Sequence, residues 1–161
     1  MLRLLKTSFA FAFAGVASGL YYRELTKLND FTDRAGSQLG LVHTHFLVLG
    51  FLVLLIVLAL EKVFALSAAA PRLGAWFYWT WTTGTALTGG MMLLKGSLVV
   101  LGADASSKAF AGIAGLGHML LTAGLVLLFL QLRRALAATR RSAGTEGAAA
   151  EEARPQGTPA A

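Results

Sequence analysis

The sequence predicts an all-α integral membrane protein, a four-helix bundle with both termini on the cytoplasmic side. Three observations predict it. The 161 residues are 56% hydrophobic and only 14% charged, whereas soluble domains carry about 25% charged residues. The apolar residues gather into four runs long enough, at about 1.5 Å per residue, to cross a hydrocarbon core of about 30 Å. Lys and Arg are shared unequally between the two sets of connecting segments, which is how topology is written in sequence. The bundle is expected over residues 1–134, with spans at about 4–22, 40–60, 76–101 and 110–132. Residues 135–161, rich in Ala, Gly, Glu, Arg and Pro, are expected to form a disordered cytoplasmic tail.

The first run, MLRLLKTSFAFAFAGVASGLYY, has two readings. Basic residues before an apolar stretch, with Val16-Ala17-Ser18 as a cleavage context, suit a secretory signal peptide. Gly15 and Gly19, four apart, suit a retained helix packed closely on another, and Tyr21 and Tyr22 suit its interfacial end. The retained span is the expectation. Residues 23–39 are polar, with turn formers Asn29, Asp30, Gly36 and Ser37, and show no strand alternation. The second run, LVHTHFLVLGFLVLLIVLALEK, is uncharged from His43 to Leu60 and is the strongest span. A short loop holds Glu61, Lys62, Pro71 and Arg72. The third run opens on WFYWTW, read as a headgroup-level aromatic belt of Trp76, Phe77, Tyr78, Trp79 and Trp81. It continues as TTGTALTGGMM, whose Thr and Gly suit helix contact rather than lipid. The fourth run ends at Arg133 and Arg134.

Orientation follows from eight basic residues against four. Arg3, Lys6, Lys62, Arg72, Arg133, Arg134, Arg140 and Arg141 fall on one side; Arg23, Lys27, Arg34 and Lys108 fall on the other. The first side is therefore cytoplasmic. The net charge of +6 is a topology signal, not a nucleic-acid surface, because no basic face interleaves with aromatics. The absence of cysteine excludes disulfides, iron–sulfur clusters, thiolate metal sites and covalent haem attachment. No nucleophile–base arrangement, phosphate loop or carboxylate pair is present, so catalysis has no positive support.

With this topology the outer half of the membrane collects the residues that do not belong in lipid. His43 and His45 open the second span, Lys95 lies near the end of the third, His118 lies in the fourth, and Arg23 closes the first. Ionisable groups inside a membrane are costly and point to function. Ala111, Ala114, Gly115, His118 and Thr122 share one helical face, while His43 and His45 lie about 200° apart on theirs. A ligand pair is therefore His118 with one of the other two. Depth favours His45, and the glycine shared seven residues on, Gly50, favours His43. The sharp reading is a b-type haem with Lys95 and Arg23 meeting its propionates. The plain reading makes the histidines interhelical hydrogen-bonding groups, with Lys95 snorkelling to the interface. A small metal or solute carrier using His43, His45 and His118, or copper(I) held with Met91, Met92 and Met119, is a third. The expected partners are the lipid bilayer and either a redox protein or further copies of the chain.

The segments Tyr22–Lys27, Phe31-Thr32 and Val42–Gly50, with Glu61-Lys62, Met91-Met92, Lys95 and Gly112–His118, together resemble a family of small four-span bacterial membrane proteins. That family is catalogued as domain of unknown function 2871. The resemblance covers about residues 5–132, implies a multi-pass protein of the bacterial cytoplasmic membrane, and brings no activity with it. More loosely, His-x-His at the start of a span is similar to haem–copper oxidase-like proteins. With so few spans and histidines that likeness implies at most a low-spin haem.

Overall fold

The computed structural model describes residues 1–33 and 37–152, with side chains described as far as Arg141. Arg34, Gly36 and the end of the expected tail, residues 153–161, lie outside the described residues. Every regular element described is a helix. Helix α1 spans Leu2–Leu28. Helix α2, Gln38–Phe64, is composite: a 3-10 turn over Gln38–Leu41, an α turn over Val42–His45, a π-helical stretch over Phe46–Leu52, and α-helix again over Val53–Phe64. A short α3 (Leu66–Ala69) precedes α4 (Pro71–Val100) and α5 (Lys108–Glu152). Helix therefore continues past Arg134 into the segment where a tail was expected.

Local chemistry sets the helix ends. The Asn29 amide donates to Leu25 O at 2.8 Å and Asp30 turns the chain out of α1 at φ 47°. The Ser37 hydroxyl accepts from Leu39 N and donates to Gly96 O at 3.1 Å, tying the start of α2 to α4. Ala65 stops α2 in the left-handed region at φ 48°. Pro71 opens α4, where its missing N–H leaves nothing unsatisfied. Between α4 and α5, Asp104 accepts from Ser106 N at 2.8 Å. Its hydrogen bonds from Ser106, the side chain first, hold its carboxyl below the usual range.

Three helices are long and apolar enough to cross a membrane: Leu2–Leu28, Gln38–Phe64 and Lys108–Arg141. Their outward side chains match that reading. Phe9, Phe13, Val16, Met119 and Phe129 are all more than half exposed, a surface that water-soluble monomers avoid. The chain is a helical membrane protein.

Helix α4 is less apolar for a physical reason. It is the element against which the others pack, so its Thr and Gly residues meet protein rather than lipid. Thr82, Thr85 and Thr88 are buried, and Thr82 and Thr85 return their hydroxyls to Tyr78 O and Trp81 O at 2.7 and 2.9 Å. The expectation that this run serves helix contact is met. The small-residue spacing in α1 is used in the same way: Gly15 and Gly19 lie against Leu47 and His43 of α2.

The aromatic opening of α4 divides differently from the sequence reading. Trp76 and Trp79 are exposed as a belt requires, at 65% and 59%. Phe77, Tyr78 and Trp81 are buried, and Phe77 and Trp81 join Leu54 and Val57 in a core cluster. Helical rotation carries Phe77, Tyr78 and Trp81 to one face and Trp76 and Trp79 to the other, and hydropathy does not distinguish a lipid face from a protein face when both are apolar.

Trp81 also reaches α2, donating its indole N–H to Leu49 O at 2.9 Å inside the π-helical stretch. Trp81→Phe is expected to destabilise the fold by about 1 kcal/mol, because the indole hydrogen bond that ties α4 to α2 is lost. Thermal denaturation in detergent measures this as a lowered Tm.

Candidate functional site

The three histidines stand on two helices, and each is held differently. His45 is half-buried, with Nδ1 3.0 Å from Leu41 O. His118 is exposed on α5, with Nδ1 2.9 Å from Ala114 O. A carbonyl can only accept, so each Nδ1 donates, and in the neutral ring that tautomer leaves the lone pair on Nε2. That is the arrangement of a ligating histidine whose second ring nitrogen is fixed by a backbone acceptor.

His43 is turned elsewhere. Its Cβ and Cγ lie 3.6 and 3.8 Å from where a Cβ on Gly19 would stand, so it packs against α1. Nε2 lies 3.3 Å from Thr44 Oγ1, and Nδ1 is buried with no partner. The structure thus separates the two histidines that the sequence left equal. His43 belongs to the α1–α2 contact, whereas His45 lies on the other flank of α2.

That flank faces a cleft of about 200 Å³, lined by Gln38 from α2, Met91, Met92 and Lys95 from α4, and Phe110, Ala111 and Ala114 from α5. Gln38 precedes His45 by two helical turns on the same side, and Ala111 and Ala114 share the face of His118. The cleft therefore lies between the helical faces that carry His45 and His118, with Lys95 in its wall, and neither histidine is among the residues that line it. The two flanks are not in contact: no Cα of Gln38–Leu52 comes within 8 Å of a Cα in α5.

Arg23 stands apart from Lys95. Its guanidinium is 3.7 Å from Glu24 and largely exposed, and it lines a separate groove with Tyr22, Thr26, Lys27 and Asp30 at the end of α1. Among the described residues no three His, Asp or Glu side chains gather to hold a metal ion, so His43, His45 and His118 do not form one cluster. The methionines also diverge: Met92 is buried in the core while Met119 is 67% exposed.

Two features were missed from sequence. One is the π-helical stretch that begins one residue after His45, a local irregularity of the kind found at functional sites. The other is a second cavity at the opposite helix ends, bordered by the buried Gln131. A glutamine inside the apolar run LLFLQL was the signal for it.

These features define a small helical membrane protein with His45 and His118 on separate helices and a cleft between α2, α4 and α5 that Lys95 lines. The chain belongs to the family described as protein of unknown function (DUF2871), whose model matches residues 1–135. No curated protein and no solved structure matches it, so the likeness to haem–copper oxidases is not shown.

Proposed function

We propose that the chain is a four-span protein of the bacterial cytoplasmic membrane, with both termini inside, that holds a b-type haem near the outer face. In this reading His45 and His118 would hold the haem iron, and Lys95 would meet a propionate. α4 is the fourth span, shielded from lipid by its neighbours. The observation that carries the reading is the matched pair of Nδ1–H···O=C bonds, which leave the Nε2 of each neutral ring free to ligate.

A cleft of about 200 Å³ is smaller than the 300–1,000 Å³ or so of a cofactor pocket. The α5 flank beside His118 is open, however: a Cβ on Gly112 or Gly115 would meet nothing within 4 Å. A flat ligand has room there, enclosed by lipid or by a second copy of the chain. Bound haem would supply one-electron chemistry, and the residues here bind, orient and neutralise it. Electron transfer or haem handling follows better than catalysis, since no acid–base pair adjoins the cleft. His43 supports the plainer alternative for itself alone, a histidine that serves helix contact, because it packs on Gly19.

The test is an optical spectrum of the protein expressed in a haem-competent bacterium and purified in detergent, oxidised and then reduced. A Soret band with sharpened visible bands on reduction, absent from His118→Ala, is the expected result. A colourless protein that stays colourless with added hemin overturns the proposal.

A further inference from the structure

The cavity at the other end of the molecule is lined by all four long helices. Met1, Arg3 and Leu4 come from the start of α1 and Val57 and Glu61 from the end of α2. Pro71, Gly74, Phe77 and Tyr78 come from the start of α4, and Gln131 from α5. Its volume is about 240 Å³, which is about eight times the liquid volume of one water molecule.

Gln131 is the informative residue. It is 2% exposed and its side chain lines the cavity. The amide nitrogen lies so close over Gly74 that a Cβ there would come within 2.5 Å of it. A side-chain amide is costly to bury among apolar residues, and this one borders a cavity. It is positioned to serve something inside.

The charged groups say what kind of occupant would fit. Arg3 stacks its guanidinium over the Tyr78 ring at 3.8 Å from the centroid, which fixes a cation at the cavity rim. Glu61 is the one carboxylate in the lining; one of its oxygens accepts from Ser67 N at 2.9 Å, leaving the other with lone pairs to offer. The surrounding helix ends carry Lys6, Lys62, Arg72, Arg133 and Arg134, a field that draws in an anion. A purely anionic occupant would meet Glu61 unfavourably, whereas a zwitterion satisfies both signs. Trp76 and Trp79, exposed on the adjoining turns of α4, mark the level of lipid headgroups.

We propose that this cavity binds the headgroup of a zwitterionic phospholipid, phosphatidylethanolamine. The phosphate meets Arg3 and the Gln131 amide N–H, and the ammonium meets Glu61. The site is independent of the histidines and of any haem.

Native mass spectrometry and thermal denaturation of the delipidated protein, with defined lipids added in detergent, test it. Phosphatidylethanolamine is expected to remain bound as a single copy and to raise Tm, and phosphatidylglycerol to do so more weakly. Gln131→Leu is expected to weaken phosphatidylethanolamine binding about tenfold, the effect of one hydrogen bond to a charged group. Glu61→Gln keeps a side-chain acceptor for Ser67 N and is expected to erase the preference between the two lipids. Equal binding of both lipids by the unaltered protein, or phosphatidylethanolamine binding unchanged in both variants, overturns the proposal. Soluble phosphoethanolamine stabilising the protein as well as the lipid does would overturn the membrane as the source of the headgroup.

Discussion

Gly117→Ala is expected to destabilise the protein by about 1–3 kcal/mol, the cost of forcing extra volume into a packed core. Helices α4 and α5 cross backbone to backbone at this point. A Cβ on Gly84 would come within 2.9 Å of Gly117 O and 3.0 Å of Leu121 N, and one on Gly117 would reach 3.0 Å from Thr88 N and collide with the Thr88 hydroxyl. Backbone cannot yield as a side-chain tip can, so a larger residue, such as Leu at either glycine, should leave no folded protein. Thr88 makes the argument testable. It is 1% exposed and its hydroxyl has no hydrogen-bond partner, so Thr88→Ala removes an orphaned polar group together with the atom that obstructs residue 117. The pair is expected to be non-additive, with Thr88→Ala recovering about 1 kcal/mol in the Gly117→Ala background. Denaturation in detergent of the two single variants and the double variant measures this coupling. Strictly additive losses would mean that the crossing relaxes elsewhere.

That crossing shows what the sequence made legible and what it hid. Thr and Gly in a membrane run announce helix contact, because neither gains from lipid, and α4 is indeed the buried helix. The Gly15–Gly19 spacing likewise announced the α1–α2 contact. The partners were not legible: nothing in TTGTALTGG says that Thr88 meets Gly117 rather than a residue of α2. Aromatics were ambiguous for a related reason. Phe77 and Trp76 adjoin in sequence with similar hydropathy, yet one is 2% and the other 65% exposed, since only the placement of α2 and α5 decides which side is protein. The π-helical stretch was hidden altogether, because its residues Phe46–Leu52 read as an unbroken apolar helix. Gln131 was visible as an exception in an apolar run, but its significance needed the cavity.

The histidines carry the second large effect. His45→Ala is expected to abolish haem binding, while His43→Ala is expected to leave it in place. On an ideal helix the two were indistinguishable as partners for His118, each favoured by one argument. The position of α1 decides between them. His43 lies against Gly19, and its buried Nδ1 faces no acceptor, so it has little freedom to reach the far side of α2. His45 has its Nδ1 fixed by Leu41 O and shares a flank with Gln38, which lines the cleft together with Lys95. Spectra of the reduced proteins give the answer: the Soret band should survive in His43→Ala and vanish in both His45→Ala and His118→Ala. His43→Ala should instead show its effect in the melting curve. Burying an unpaired ring nitrogen costs about 1–3 kcal/mol, which offsets part of the packing lost against α1, so its Tm should move by only a few degrees. Loss of colour in His43→Ala with retention in His45→Ala would reverse the assignment and require α2 to rotate about its π-helical stretch when the cofactor binds.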